Sequence, residues 1–145
     1  MGISYYTYVG PYIVSDEYPE KSVKVKVRKC PDHDFTVSSN QAFCTHCGKK
    51  IETEDKTESF YDSESVEKCK LISWGEIDGK SIFLPNVKNI GQNIDNSYDE
   101  KALEISAGEI PESIEKMQKY LEKLKKHLPE NTNACVKFGV VCYAN

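Results

Sequence analysis

Cys30, His33, Cys44 and Cys47 stand in two short clusters, Cys30-Pro31-Asp32-His33 and Cys44-Thr45-His46-Cys47, with ten residues between them. Each cluster offers two donors, at its first and fourth positions, and a tight turn between the two points both side chains at one ion. Two such turns complete a tetrahedron. Three soft thiolates and one imidazole select zinc, with expected bonds of about 2.3 Å to sulfur and about 2.0–2.1 Å to nitrogen. His46 is a second imidazole close by, but it lies between the cysteines of its cluster, where the turn directs side chains outward, so His33 is the expected ligand. Gly48 suits the backbone twist that aims amide groups at the thiolates. Four protein donors leave no open position for water, so the expectation is one structural Zn2+ rather than a catalytic one. Sites of this kind supply apparent binding free energies of about 10–16 kcal/mol, enough to hold a loop with few apolar residues of its own.

Residues 28–50 resemble a zinc ribbon, and Phe43-Cys44-Thr45-His46-Cys47-Gly48 looks like the second half of many members. The wider layout is an aromatic first strand, an early pair of knuckles and a closing strand ending Gly139-Val140-Val141-Cys142-Tyr143. It resembles small uncharacterised zinc proteins of large tailed phages. That resemblance implies an accessory role inside an infected bacterium, against a host machine or a defence system.

No phosphate-cradling glycine loop, nucleophile elbow or paired metal-carboxylate motif accompanies the cluster. His127 falls at a helix C-terminus, where a partial positive charge complements the dipole. The chain is therefore expected not to be an enzyme. Binding to a partner protein remains, reached by elimination and supported by an N-terminal tyrosine cluster of the kind enriched at interfaces. A first alternative is nucleic-acid binding through Lys24, Lys26, Arg28, Lys49 and Lys50, since ribbons often contact nucleic acid through a basic face. A second is mimicry of a nucleic acid by residues 52–68, which carry a net charge of −5 from seven acidic and two basic side chains. The net charge of −4 and pI near 5.4 argue against a surface that attracts nucleic acid or anionic lipid as a whole.

The elements that must position these residues follow from periodicity. Ile3 to Val14 mixes β-branched and aromatic residues and predicts a strand, a turn at Gly10-Pro11 and a second extended piece. Lys21 to Cys30 alternates Val23, Val25 and Val27 with Lys24, Lys26 and Arg28, the pattern of a half-buried strand. Residues 52–68 read as an exposed acidic loop with a short strand near Phe60-Tyr61. Cys69 to Trp74 and Ser81 to Leu84 read as a hairpin turning at Asp78-Gly79, and Asn86 to Ser97 as loop. Ile110, Ile114, Met117, Leu121, Leu124 and Leu128 recur at helical spacing between Pro111 and Pro129. That run is too short for a coiled coil and favours packing on the chain's own sheet. Val136, Phe138, Val140 and Cys142 form the apolar row that would receive it, and the strand-like ends of the chain are candidates to pair.

The fold class expected is α+β: a small antiparallel sheet with one long C-terminal helix packed on it and a zinc-ribbon-like insertion, all in a single domain over 1–145. Cys69, Cys135 and Cys142 are odd in number, and the last two lie about 23 Å apart by strand rise, so all three read as buried free thiols. Free thiols together with a start that lacks the pattern of a secretory leader predict a cytoplasmic location. The oligomeric state has no signature in the residues.

Overall fold

Tyr5–Ser15 (β1), with β-forming residues on both sides of Gly10-Pro11, is the strand on which the larger sheet is built in the computed structural model, which describes residues 5–88, 90–95 and 105–144. The elements that follow are β2 (Glu20–Cys30), β3 (His33–Thr36), β4 (Glu52–Tyr61), α1 (Ser63–Lys68), β5 (Leu71–Ile77), β6 (Lys80–Pro85), β7 (Gln92–Asp95), α2 (Glu109–Leu124) and β8 (Ala134–Ala144). The chain divides into two compact units, Met1–Glu20 with Tyr61–Asn145, and Lys21–Phe60.

The first unit holds a five-stranded antiparallel sheet in the order β5-β6-β1-β7, with β8 also paired to β1. The two ends of the chain do pair: β1 and β8 run antiparallel from Tyr5↔Ala144 to Ser15↔Ala134. On its other side β1 takes β7 at Tyr6–Val9 and β6 at Ile13–Ser15. Gly10-Pro11, expected as a turn, falls between these two ladders and the strand runs through it. No neighbour on that side needs the N–H that Pro11 lacks. Gly10 bends the chain there at φ +151°, and a Cβ on it would come within 2.5 Å of the Gly91 Cα and 2.7 Å of the Tyr8 hydroxyl oxygen. Tyr8 is buried beneath and donates its hydroxyl to the Pro11 carbonyl at 2.6 Å.

Asp78 and Gly79 both take positive φ, 53° and 71°, the geometry of the primed turn that matches strand twist, and close the expected β5–β6 hairpin. The Asn- and Gly-rich stretch expected as loop contributes β7 instead. Three of its four residues, Gln92, Asn93 and Asp95, have poor β-propensity and are recruited by the edge of β1 that they complete. The parts of those expectations that fall on residues 1–4, 89, 96 and 97 lie outside the described residues. The acidic loop expected over 52–68 is also replaced, by β4 and α1. Asp62 caps α1, its carboxylate accepting from the Ser65 N–H at 3.2 Å and the Ser65 hydroxyl at 2.6 Å, while Val66 and Cys69 enter the core.

One face of the sheet is covered by α2. Met117, Leu121 and Leu124 pack with Ile13, Leu71, Phe83 and Val66, and Leu128, Ala134 and Val136 close the edge. The periodicity thus identified the helix and its apolar face, including the first-turn Pro111 and the stop before Pro129. The apolar row of β8 is only partly used. A helix of 16 residues is about 24 Å long and a strand of 11 about 36 Å, so the helix covers the Val136 end and leaves Val140 exposed at 59%. Cys69 is buried as expected, but Cys135 and Cys142 are exposed. Val14, Ile82, Leu84 and Val141 form a smaller cluster with Tyr8 and are flanked by Tyr12 and Trp74. No helix among the described residues is long and apolar enough to cross a membrane.

Leu124 has no exposed surface. Leu124→Ala should therefore cost about 2–5 kcal/mol, read as a lower urea midpoint at unchanged slope. A midpoint within error of the parent would contradict this account of the core.

Candidate metal centre

The second unit is a three-stranded sheet in the order β3-β2-β4. Contact between the Ser22 and Ser59 hydroxyls at one end and the Lys29–Glu54 ion pair toward the other sets β2 and β4 antiparallel. β2 carries Lys21, Lys24, Lys26, Arg28 and Lys29; β4 carries Glu52, Glu54, Asp55 and Glu58. A basic strand and an acidic strand are thus neighbours, and their charges offset one another. Val23 is exposed and Val25 and Val27 are only half-buried, so the valine row expected to face a core lies on a ribbon with little cover. The stems of charged neighbours such as Lys56 and Glu58 border it.

Each half of the metal cluster is a hairpin. Pro31-Asp32 turns β2 into β3, with Cys30 opposite His33 across the turn and a register shift between Lys29 and Cys30. In the other half, the Cys44 N–H donates to the Lys49 carbonyl at 2.7 Å and the Gly48 N–H to the Cys44 carbonyl at 2.9 Å, with Phe43 bridged to Lys50. Gly48 sits at φ +71° with open space around it, so glycine is required by backbone conformation and not by crowding.

These turns bring together the four residues that the spacing singled out. The donor atoms of Cys30, His33, Cys44 and Cys47 all lie within 4.8 Å of one another. Cys30 Sγ is 3.4 Å from His33 Nδ1 and 3.5 Å from Cys47 Sγ, and Cys44 Sγ is 3.6 Å from His33 Nδ1. The edges of a tetrahedron around zinc, from its usual bond lengths, are about 3.5–3.8 Å. Nδ1 is therefore the donor nitrogen of His33. His46 stays outside the set, its exposed ring 5.7 Å from that of His33 and edge-on to Phe35 at 5.6 Å. The site can hold one metal ion, and its donor chemistry fits zinc.

The electrostatics fit a cation as well. Burial pushes the Cys44 thiol up, but the backbone amides of Cys47 and His46, with the thiols of Cys47 and Cys30, outweigh it and bring it from 9.0 down to about 6. Cys30 also ends below the usual thiol range: burial raises it, while the Asp32 amide and His33 lower it further. Cys47 moves the other way. The Lys49 amide lowers it, yet burial and the adjoining Cys30 and Cys44 raise it more, because a third thiolate beside two others needs a positive charge among them. His33 is held above its ordinary range, chiefly by its hydrogen bond to Cys30.

Around the cluster the unit has almost no core. Its buried group is Cys30, Val37, Cys44 and Ile51, so two of the four members belong to the donor cluster itself. Two side chains from the proposed basic face also have other work. Arg28 donates to the carbonyls of Ser38 (3.0 Å), Ser39 and Gln41 (2.7 Å), tying down the segment between the hairpins. Lys49, in the second hairpin, pairs at 2.7 Å with Asp32 in the first. The spacing does not announce either contact: a backbone carbonyl leaves no mark in the residue pattern, and the Lys49–Asp32 pair joins side chains of two separate clusters. Lys24, Lys26 and Lys50 remain exposed. No family model, curated protein or solved structure matches the chain.

Purified chain should carry one zinc by elemental analysis. Cys44→Ser should lower both that ratio and the melting temperature, whereas His46→Ala should leave the ratio at one. A metal-free parent, or zinc lost with His46, would refute the ligand set. The sign of the pH dependence follows from Cys44: a thiol whose folded value is depressed contributes stability that is full above the ordinary value of 9.0 and lost as pH falls through about 6. Zinc should be held at neutral pH and pass to a chromogenic chelator on the acid side of about pH 6, and release complete in mild alkali would contradict this.

Proposed function

We propose that this chain is a non-enzymatic, zinc-stabilised binding module whose Lys21–Phe60 unit, a ribbon-like metal-bound insertion, is presented to a partner protein. One observation carries the reading: four donors lie within 4.8 Å of one another in a unit whose buried side chains, among the described residues, are Cys30, Cys44, Val37 and Ile51. A metal so enclosed organises the chain around it and has no position to offer a substrate.

Support for a protein partner comes from what the metal holds in place. Phe35, at 36% exposure, and His46 form an aromatic group beside the ligands, and Phe43, immediately before Cys44, is 60% exposed. Exposed aromatics on a rigid frame are the residues that interfaces favour. The basic face counts for less in this reading, because Arg28, Lys29 and Lys49 already have partners and β4 sets an acidic strand beside the basic one. The same adjacency weighs against nucleic-acid mimicry by residues 52–68. A cleft of the first unit, about 380 Å³ between α2 and β1, has polar lining groups that are already engaged: the Ser113 hydroxyl donates to the Ile110 carbonyl, and Lys116 pairs with Glu112. A role inside an infected bacterium rests on the resemblance of the layout alone.

Zinc-loaded chain used as bait in lysate of its own cell should retain one partner at stoichiometric yield. That partner should be lost with Phe43→Ser while zinc content stays at one. Retention of nucleic acid instead, weakening with salt and abolished by Lys24→Glu and Lys26→Glu together, would replace this reading with the basic-face one.

A further inference from the structure

Exposed strand edges invite pairing, and all but one of the edges here are guarded. β7 and β3 have four residues each. β4 carries Glu52, Glu54, Asp55, Lys56 and Glu58 among its ten. β5 is broken by a bulge between Ser73 and Gly75, with Gly75 at φ +130°. Of these devices β8 has only a single charge, Lys137. It is 11 residues long, Ala-Cys-Val-Lys-Phe-Gly-Val-Val-Cys-Tyr-Ala, with one charge and no proline, and among the described residues it pairs with β1 alone.

We propose that β8 is a homodimer interface, in which the β8 strands of two copies pair antiparallel about a two-fold axis at Gly139 and join the two five-stranded sheets into one. This goes beyond the zinc-based reading and does not rest on it. The hydrogen-bonding edge is legible from Pro11, which lies opposite Phe138. A proline has no N–H to exchange, so that pair is a non-hydrogen-bonded one and the Phe138 N–H and C=O face away from β1. By alternation, so do those of Val136, Val140 and Cys142.

The occupant is a second copy because the strand is complementary to itself. A two-fold axis perpendicular to the sheet keeps each face on its own side, so residues facing each other must have numbers of the same parity. Centring the axis on Gly139, the middle of the strand, overlaps all of β8 and sets Phe138 against Val140 of the second copy and Val136 against Cys142. The exposed Val140 then gains an aromatic cross-strand neighbour. Lys137 meets Val141 and not its own counterpart, leaving the two ammonium groups more than about 10 Å apart by strand rise, beyond the screening length at physiological salt. Gly139 puts no side chain at the axis.

Sedimentation equilibrium of the full chain from micromolar to millimolar should show mass rising from 16.5 kDa toward twice that value. Val140→Lys, at a site already open to solvent, should keep the far-ultraviolet dichroism and remain monomeric. Gly139→Cys with Cys135→Ser and Cys142→Ser should form a disulfide-linked dimer on mild oxidation, because facing non-hydrogen-bonded residues lie about 4.5 Å apart at Cα. The added Cβ is tolerated, its nearest neighbour being the Tyr12 ring at 3.7 Å. Should Val140→Lys fail to fold, the cross-link still decides. A monomer across the whole range, or a dimer that survives Val140→Lys without the Gly139→Cys cross-link, overturns the proposal.

Discussion

Three sulfur atoms and an imidazole nitrogen packed within 4.8 Å are a costly arrangement for a protein to hold alone. Thiolates repel one another and thiols pack poorly as donors, so the cluster is stable when a cation lies among them. Much of what distinguishes the Lys21–Phe60 unit follows from that constraint. With two aliphatic side chains buried apart from its cysteines, this unit lacks the hydrophobic burial that ordinarily offsets chain entropy. A metal ion held by the four donors would take over that role. Backbone amides aimed at Cys44, the Asp32–Lys49 pair between the hairpins and the Arg28 clamp on three carbonyls refine a geometry that the ligands impose.

The first unit solves the same problem by other means. β1 shares ladders with three strands, and this centrality explains both its apolar content and its tolerance of Gly10-Pro11, which occupies the interval between β7 and β6. The amphipathic α2 covers one face, joined there by Val66 of α1 and by Cys69. Because it is shorter than the strand it crosses, part of β8 is left to solvent, so one length mismatch accounts for the exposed Val140.

The clustering of the four donors, the C-terminal helix, the Asp78-Gly79 hairpin and the pairing of the chain ends were legible in the residues because each rests on a short-range rule: donor spacing, helical period, turn chemistry or β-propensity. What escaped depends on partners distant in sequence. β4 is acidic and reads as loop until β2 lies beside it with the opposite charge. β7 is polar at three of its four positions and becomes a strand because β1 has an edge to fill. α1 did leave a local signal, the Asp62-x-x-Ser65 cap, but with Val66 and Cys69 as its only buried apolar side chains the helical period was too short to register. The exposure of Cys135 and Cys142 reflects where a helix ends, which periodicity within β8 does not contain.

The central claim, that Cys30, His33, Cys44 and Cys47 enclose one zinc, is met most directly by X-ray absorption at the zinc edge of the purified protein. The predicted first shell has three sulfurs at about 2.3 Å and one nitrogen at about 2.0–2.1 Å, with no further oxygen. A shell of nitrogen and oxygen alone, or of five or six ligands, would contradict it.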